Sequence, residues 1–430
     1  MIRRVLSATV CASVAALVLV GPTAADTSAS TEPDRIVLNP TASPDTSQSV
    51  TWRTKPDAGT GLVEVREAGA DGVRRVAADQ TARARLRGLD PAVHHTATLQ
   101  NLTPGTSYEY RVGNDRHGWS TWSGFRTADH RAEPWEFLYF GDAQNGLDTV
   151  WPQVAGAAFE EHPDARASLY AGDLVNQADD DAEWGHWFDA VGERAREQQV
   201  IATPGNHEHI GDLRLQQYRA HFAFPDNGPV LRDEDVWYTD HQGVRFVSLN
   251  GNAPLGGPDQ AGWLDRILRD NPNRWTVVTF HYPLFSFRPG RDNIATRTLW
   301  LPILEKHGVD LVLQGHDHGY ARGHVAENEQ DDGVAGPAYV VSVAGSKYYE
   351  ADGEDRNNWT RNGARRVTAL EQVSTYQSIR VEQDRLVYRS VAAAVGAEPT
   401  DGVQPGDVVD AFTVTKTDEG RPLVTDDPIG

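Results

Sequence analysis

The sequence has almost no cysteine. Only one of its 430 residues is cysteine, Cys11, and it lies in an apolar run that we predict to be removed from the mature chain. Such a mature chain has no thiol and forms no disulfide, so its stability must come from its core. A chain of this length with 39% hydrophobic residues can form two domains and at least one sizeable core.

Positive charge is also scarce. The chain has 61 acidic and 40 basic residues, which gives a formal net charge of −21. An acidic surface of this kind argues against binding to nucleic acids or to anionic membranes. A phosphorylated substrate would have to be attracted by local positive charge, and we expect metal ions to supply it.

The first 25 residues have the pattern of a secretory signal. Arg3-Arg4 forms a basic segment, residues 5–20 an apolar segment, and Thr23-Ala24-Ala25 a cleavage site of small residues. The apolar segment is short for a membrane span, so we expect bacterial export, secretion, and no membrane span after cleavage. The arginine pair also fits twin-arginine export. An uncleaved N-terminal anchor is the alternative.

Two different patterns follow. Between Pro33 and Thr127, short alternating runs are separated by turn residues, which is typical of a small β-sandwich. After a polar linker, residues 134–415 show apolar strands that alternate with helical stretches and predict an α/β layered domain. The predicted strands of this domain are Glu136–Phe140, Ala167–Ala171, Gln199–Thr203, Arg245–Leu249, Trp275–Phe280, Val309–Leu313 and Ala338–Val343. The predicted helices are Asp148–Glu161, Asp181–Gln198, Asp259–Asp270 and Thr296–His307, and residues 351–366 are predicted to form a surface loop or lid.

Five of these strands end in side chains that can bind metals. They lead into Gly141-Asp142-Ala143-Gln144, Gly172-Asp173-Leu174-Val175-Asn176, Gly205-Asn206-His207-Glu208, His281 and Gly315-His316-Asp317-His318. One Asp or Asn after a strand is often only a capped turn. Five such ends on one sheet edge would be hard to explain as turns, because strand ends of this kind form ligand sites. Mixed Asp, Asn and His ligands suit Zn, Fe or Mn.

In their order and spacing, these motifs resemble the metallophosphoesterase (calcineurin-like phosphoesterase) superfamily. The segment from Leu102 to Val112 resembles the corner of fibronectin type III domains, and a preceding domain of this kind narrows the resemblance to purple acid phosphatases. The resemblance covers residues 33–415. It implies a metallophosphoesterase fold, in which helices flank a β-sandwich, preceded by a small all-β fibronectin III-like sandwich at residues 33–127.

The resemblance also implies two divalent or trivalent metal ions. Their ligands, carried over position by position, would be Asp142, Asp173 and His318 for the first ion, and Asp173, Asn206, His281 and His316 for the second. A metal-bound hydroxide would attack phosphorus in line, and His207 would contact the phosphate and protonate the leaving group. Glu208 would either orient His207 or be a solvated charge at a helix start.

Two positions depart from the family pattern. Purple acid phosphatases carry a tyrosinate ligand three residues after the second-motif aspartate, where this chain has Asn176. Many other members place a histidine two residues after the first aspartate, where this chain has Gln144. One of these amides, or water, would fill the place, and without tyrosinate we expect no iron charge-transfer colour. Arg288 and Arg291, in the loop after His281, would clamp the phosphate or would only be solvated.

Three functions remain open from the sequence. The first is a secreted hydrolase that acts on phosphate monoesters of small molecules. The second is a phosphodiesterase or nucleotide hydrolase with the same metal core, because pocket loops decide between the two. The third is an extracellular binding protein whose second domain is degenerate. The competent residues at every metal position except the tyrosine position argue against the third.

Overall fold

The computed structural model describes residues 32–429, except 57, 83–90, 131–132, 233 and 253–256. The predicted secretory signal lies outside these residues. Within the described ranges the chain forms 25 strands and six α-helices. None of these helices is both long enough and apolar enough to cross a membrane.

The N-terminal part is a small all-β domain. Its strands are β1 (Asp34–Asn39), β2 (Gln48–Thr54), β3 (Leu62–Glu67), β4 (Arg74–Ala77), β5 (Gln80–Ala82), β6 (Val93–Leu99), β7 (Ser107–Asn114), β8 (Gly118–Trp119) and β9 (Ser123–Arg126). One sheet contains β1, β2, β6 and β5, and the other contains β4, β3, β7, β8 and β9. Trp52 and Tyr110, one from each sheet, are buried in the same apolar cluster. The predicted β-sandwich is confirmed.

The remaining strands belong to the second domain. They are β10 (Trp135–Phe140), β11 (Ala167–Tyr170), β12 (Gln199–Ala202), β13 (Trp237–His241), β14 (Val244–Ser248), β15 (Trp275–Thr279), β16 (Leu311–Gln314), β17 (Tyr320–Val325), β18 (Glu329–Gln330), β19 (Gly333–Val334), β20 (Ala338–Val341), β21 (Ala364–Leu370), β22 (Val373–Val381), β23 (Leu386–Val395), β24 (Val408–Lys416) and β25 (Pro422–Asp426). The helices are α1 (Val150–Glu161), α2 (Asp181–Val191), α3 (Gln216–His221), α4 (Gly257–Arg269), α5 (Ile294–His307) and α6 (Asn358–Arg361). Each predicted strand overlaps an observed one.

Two predicted segments differ from the structure. The helix predicted to reach Gln198 ends at Val191, because Gly192 adopts a positive φ of 57° and the chain continues as a 3-10 turn at Gly192–Arg196. The segment predicted as a loop at residues 351–366 contains α6 and the start of β21. The Asn357 side chain caps α6 by accepting a hydrogen bond from the backbone N–H of Thr360.

Two sheets form the centre of the second domain, and helices cover both of their outer faces. Phe137 of β10 and Phe246 of β14 meet edge to face between the sheets, with ring centroids 5.1 Å apart. On one outer face, Trp151 of α1 packs against Phe140. On the other, Trp300 of α5 packs against Phe280. The predicted α/β layered fold, a β-sandwich flanked by helices, is confirmed.

The two domains share a sheet. Strand β1 pairs in parallel with β12, with Leu38 opposite Gln199, so one sheet of the N-terminal domain continues the larger sheet of the second domain. Next to this junction, Asp181 at the start of α2 forms ion pairs with Arg35 and Arg53, at 2.7 and 2.8 Å. The N-terminal domain is therefore joined to the second domain by backbone pairing and by buried charge.

Candidate metal centre

The ends of five strands meet at one edge of the second domain. Strands β10, β11 and β12 are parallel neighbours in one sheet, and β15 and β16 are parallel neighbours in the other. Parallel strands deliver their carboxyl ends to the same edge. A hydrogen bond of 2.5 Å from the backbone N–H of His316 to Oδ2 of Asp142 links the two sheets there.

Asp173 lies between two groups of candidate ligands. The ligand atoms of Asp142, Asp173 and His318 lie within 4.8 Å of one another, and so do those of Asp173, His281 and His316. Oδ2 of Asp173 is 3.0 Å from Nε2 of His281. Oδ1 of Asn206 is 3.2 Å from the same nitrogen. The structure therefore brings together the six residues predicted as core ligands, with Asp173 common to both groups.

Backbone carbonyls fix the orientation of three histidine rings. Nδ1 of His281 donates to the carbonyl of Ala171 at 2.9 Å, and Nδ1 of His318 donates to the carbonyl of Lys347 at 3.1 Å. Nδ1 of His207 donates to the carbonyl of Asn176 at 2.7 Å. Each ring therefore carries its proton on Nδ1 and turns Nε2 toward the centre, as metal-binding histidines do.

The side chains at this place fit metal ions. Oδ1 of Asp142 is buried and has no hydrogen-bond partner among the described residues. Nε2 of His281 presents a lone pair, and two oxygens, Oδ2 of Asp173 and Oδ1 of Asn206, lie 3.0 and 3.2 Å from it. Burial raises the pKa of Asp142 well above its usual value and that of Asp173 to about 6. Cations would satisfy these converging lone pairs and keep both carboxylates ionised.

The ligand positions require unusual backbone. Asp173, His316 and His318 have positive φ angles of 52°, 74° and 46°, a conformation that such residues hold only when the surrounding structure imposes it. Only glycine fits at position 205, because a Cβ on Gly205 would lie 2.1 Å from Oδ1 of Asp173. This explains the glycine that precedes Asn206 in the sequence.

Glu208 holds the loops of the site in place and does not orient the ring of His207. Its carboxylate accepts hydrogen bonds from the backbone N–H groups of Asp173, Leu174 and Gly205, at 2.9, 2.8 and 2.6 Å. The ring of His207 is oriented instead by a carbonyl, so the expected role of Glu208 as its orienting partner is corrected. Glu208 is fully buried and does not fit the alternative of a solvated charge. Burial raises its pKa to about 7.

Gln144 and Asn176, the two amides at positions where the sequence departs from the family pattern, lie in different surroundings. Nε2 of Gln144 is 2.8 Å from Oδ2 of Asp173 and 3.1 Å from Nε2 of His318. The side-chain oxygen of Asn176 is 3.4 Å from the amide of Asn145. Gln144 therefore faces the first group of ligands directly. The side chain of Asn176 forms no hydrogen bond to the residues of that group.

The rim of the centre contains residues that the sequence patterns did not indicate. Tyr282 packs on the ring of His316, with centroids 4.3 Å apart, and Tyr349 packs on the ring of His318 at 4.9 Å. Lys347 and Tyr349 follow β20, whose end carries no Asp, Asn or His and so gave no signal. Of the two arginines proposed for substrate, Arg291 donates to Oδ1 of Asp317 at 2.5 Å and to the carbonyl of His316 at 2.9 Å.

Comparisons with known proteins agree with this arrangement. The family described as "Purple acid Phosphatase, N-terminal domain" matches residues 33–127, and the calcineurin-like phosphoesterase family matches residues 136–320. An uncharacterised protein of Mycobacterium tuberculosis is 30% identical over 319 residues, which cover 65% of this chain and 60% of the relative. The Fe(3+)-Zn(2+) purple acid phosphatase 12 of Arabidopsis thaliana is 24% identical over 288 residues, which cover 62% of this chain and 60% of the relative.

A solved structure shows the same fold. The purple acid phosphatase from yellow lupin (Lupinus luteus) seeds superposes with a TM-score of 0.75 at 17% identity, over 90% of this chain and 75% of that one. The chain spans about 60% of the length of the curated relatives described above. Two adjoining family matches, the shared fold and the assembled ligand positions lead to one conclusion. The chain is similar to the purple acid phosphatases in both of its domains, and its second domain matches the calcineurin-like phosphoesterase family.

Proposed function

We propose that this protein is a metal-dependent phosphatase that hydrolyses phosphate monoesters at a site for two metal ions. The observation that carries the proposal is the position of Asp173, whose carboxylate belongs to both groups of candidate ligands. One carboxylate can bridge two cations because it has two oxygens. The mixed Asp, Asn and His donors suit Fe, Zn or Mn, and a relative from Arabidopsis thaliana is named as an Fe(3+)-Zn(2+) enzyme.

The chemistry divides between the ions and the chain. When bound, two such cations lower the pKa of a water molecule and neutralise the negative charge that develops on a phosphoryl group. His207 supports the proposal because its ring is fixed at Nδ1 and its Nε2 lies 4.0 Å from Oδ2 of Asp173. When the ring is protonated on both nitrogens, the proton on Nε2 would be available to the oxygen of the leaving group. Asn206 would contribute a neutral oxygen, which leaves more positive charge for the phosphate.

We propose further that Gln144 supplies an oxygen ligand to the first metal ion, in the place that tyrosinate occupies in purple acid phosphatases. Oε1 of Gln144 is buried and has no hydrogen-bond partner among the residues described. Half a turn of the amide would exchange its nitrogen and oxygen and would place Oε1 against Asp173 and His318. Asn176 is the alternative, and its contact with Asn145 argues against it.

We infer that the mature protein is exported. The basic, apolar and small-residue segments within the first 25 residues support this. Mass spectrometry of the secreted chain would identify its first residue. A mature N-terminus near Asp26 is expected, and a protein that keeps residues 1–25 and stays with the membrane would contradict cleavage.

The decisive experiment for the function is elemental analysis of the purified protein, combined with assays on p-nitrophenyl phosphate and bis-p-nitrophenyl phosphate. We expect about two metal ions per chain. An Asn206→Ala, His316→Ala double variant should lose them or bind them more weakly. The monoester should be hydrolysed faster than the diester. A protein that binds no metal even in excess ions would refute the enzyme proposal, and a faster diester would favour the phosphodiesterase alternative.

A further inference from the structure

Three positively charged side chains surround one tyrosine at the rim of the metal centre. The guanidinium carbons of Arg288 and Arg291 lie 4.3 and 5.6 Å from the ring centre of Tyr349, and Nζ of Lys347 lies 5.3 Å from it. The ring of Tyr349 itself packs on His318. We refer to Arg288, Lys347 and Tyr349 as the rim cluster.

Two of these charges are not neutralised by neighbouring carboxylates. Arg291 is paired with Asp317 at 2.5 Å. Neither Arg288 nor Lys347 forms an ion pair with any carboxylate in the described parts of the chain, although acidic residues outnumber basic ones by 61 to 40. Both side chains are half-buried. Half-buried and unpaired cations in an acidic protein are available for an anion from outside the chain.

The rim cluster is held firmly against the metal centre. The backbone N–H of Tyr349 donates to the carbonyl of His318 at 3.0 Å, and Nδ1 of His318 donates to the carbonyl of Lys347 at 3.1 Å. Tyr349 thus contacts both His318 and the two cations. An anion between Arg288 and Lys347 would therefore lie beside the ligand cluster.

We propose that Arg288 and Lys347 form a subsite for a second phosphoryl group of the substrate, next to the group that is hydrolysed. This inference rests on the proposed phosphoesterase function and adds a substrate class to it. Two kinds of molecule carry such a group: phosphoanhydrides, in which the two phosphoryl groups share an oxygen, and bisphosphate esters, in which they are on different carbons. Both present anionic oxygens that guanidinium and ammonium groups bind by charge-assisted hydrogen bonds.

The test compares ADP and fructose 1,6-bisphosphate with p-nitrophenyl phosphate, whose leaving group is uncharged in its ester form. We expect the metal-loaded protein to have a higher kcat/KM for at least one of the doubly phosphorylated substrates. In an Arg288→Gln, Lys347→Gln double variant, this preference should fall about tenfold or more, since each lost contact is charge-assisted. The substrate that loses more identifies the spacing of the two phosphoryl groups.

A matched control is an Arg269→Gln, Lys306→Gln variant. It removes the same two charges from α4 and α5, where they pair with Asp270 and Asp265, at helix ends that precede β15 and β16 and so lie at the opposite edge. The preference should be unchanged in this control. Two results with the Arg288→Gln, Lys347→Gln variant, which we call the rim variant, would overturn the subsite. One is a substrate preference equal to that of the control variant. The other is a loss of kcat/KM by the same factor on all three substrates.

A binding measurement separates this inference from the enzyme proposal. Calorimetry gives the affinities of the metal-loaded protein for methylenediphosphonate and for methylphosphonate, neither of which has to be hydrolysed. We expect tighter binding of the diphosphonate, and we expect the rim variant to lose most of the difference while the control keeps it. Equal losses in both variants would refute the subsite even if the protein is an active phosphatase.

Discussion

The side-chain amide of Gln144 lies 2.8 Å from Oδ2 of Asp173, the carboxylate that both groups of candidate ligands share. Both residues are buried. The amide thus lies beside the first group of candidate ligands, where we propose that Gln144 supplies an oxygen to a metal ion. The chain has Asn176 where the family has a tyrosine ligand, and it has the amide of Gln144 beside the same group of candidate ligands. The second departure from the family pattern can therefore compensate for the first.

If Gln144 is a ligand, a Gln144→Ala variant should bind the first metal ion about tenfold more weakly or worse. The reason is that Ala offers no oxygen and leaves a gap that only water could fill. The matched control is Asn176→Ala, which removes an amide from the other departing position. Metal titrations in competition with a chelator give the affinity without any assay of activity. Greater weakening by Asn176→Ala would show that this residue supplies the ligand.

The carboxylate of Glu208 should be required to hold the loops in place. A Glu208→Gln variant puts an NH2 group opposite the backbone N–H groups of Asp173 and Gly205, so that donor meets donor. We expect the free energy of unfolding of the metal-free protein to fall by about 2 kcal/mol. Urea unfolding would measure it, with Glu161→Gln as the control, since exposed Glu161 accepts a hydrogen bond from one side chain of the described chain, Tyr376. Unchanged stability would mean that the loops do not depend on this carboxylate.

The grouping of the candidate ligands was predictable from the sequence because each one follows a short apolar run. Buried parallel strands must end at one edge, so residues such as Asp142 and His281 could be assigned to a common site before any contact was known. Local sequence was sufficient to find these positions because only a few types of side chain bind metal ions. The β-sandwich before it was predictable for the same reason, since its strands alternate.

Contacts to the backbone could not be predicted in this way. Glu208 binds N–H groups of its own loop and of the loop that begins at Asp173, and an N–H group leaves no mark on the sequence. Lys347 and Tyr349 reach the centre through the pairing of β20 with β16 and through the bridge between Val343 and Asp142, which join segments that are distant in the chain. The pairing of Leu38 with Gln199 is equally non-local. Such pairings depend on the tertiary fold rather than on local residue preference.

The junction between the domains should be sensitive to the loss of a single carboxylate. Asp181→Ala would leave Arg35 without its carboxylate partner and would take one of two carboxylates from Arg53, although both guanidinium groups are buried. We expect a loss of about 3 kcal/mol in the free energy of unfolding, because an uncompensated buried charge is costly. Because the domains share a sheet, unfolding should remain a single transition.

Denaturant unfolding followed by fluorescence and by circular dichroism tests both statements. An Asp270→Ala variant, which removes an exposed partner of Arg269, should leave the midpoint unchanged. An early separate transition in Asp181→Ala would show instead that the N-terminal domain can detach while the second domain stays folded.

The buried ring of His241 should make the protein less stable in acid. It packs edge to face on Trp135, with ring centroids 4.7 Å apart, and burial, with a smaller effect of Arg166, lowers its pKa from 6.5 to about 3. The folded-state pKa lies below the unfolded one, so the unfolded chain binds a proton first as the pH falls. Stability is therefore lost as the pH falls below 6.5, and the loss continues until about pH 3.

A His241→Phe variant keeps an aromatic ring on Trp135 but cannot take up a proton. Between pH 7 and pH 5 the wild-type chain should lose about 2 kcal/mol more of its free energy of unfolding than the variant, since one pH unit corresponds to about 1.4 kcal/mol. Buried His94, with a pKa lowered to about 3, acts in the same direction in both proteins and cancels in the comparison. Urea unfolding of the metal-free proteins at both pH values measures the difference. Parallel losses in the two proteins would mean that His241 accepts a proton inside the fold, which its burial against Trp135 should prevent.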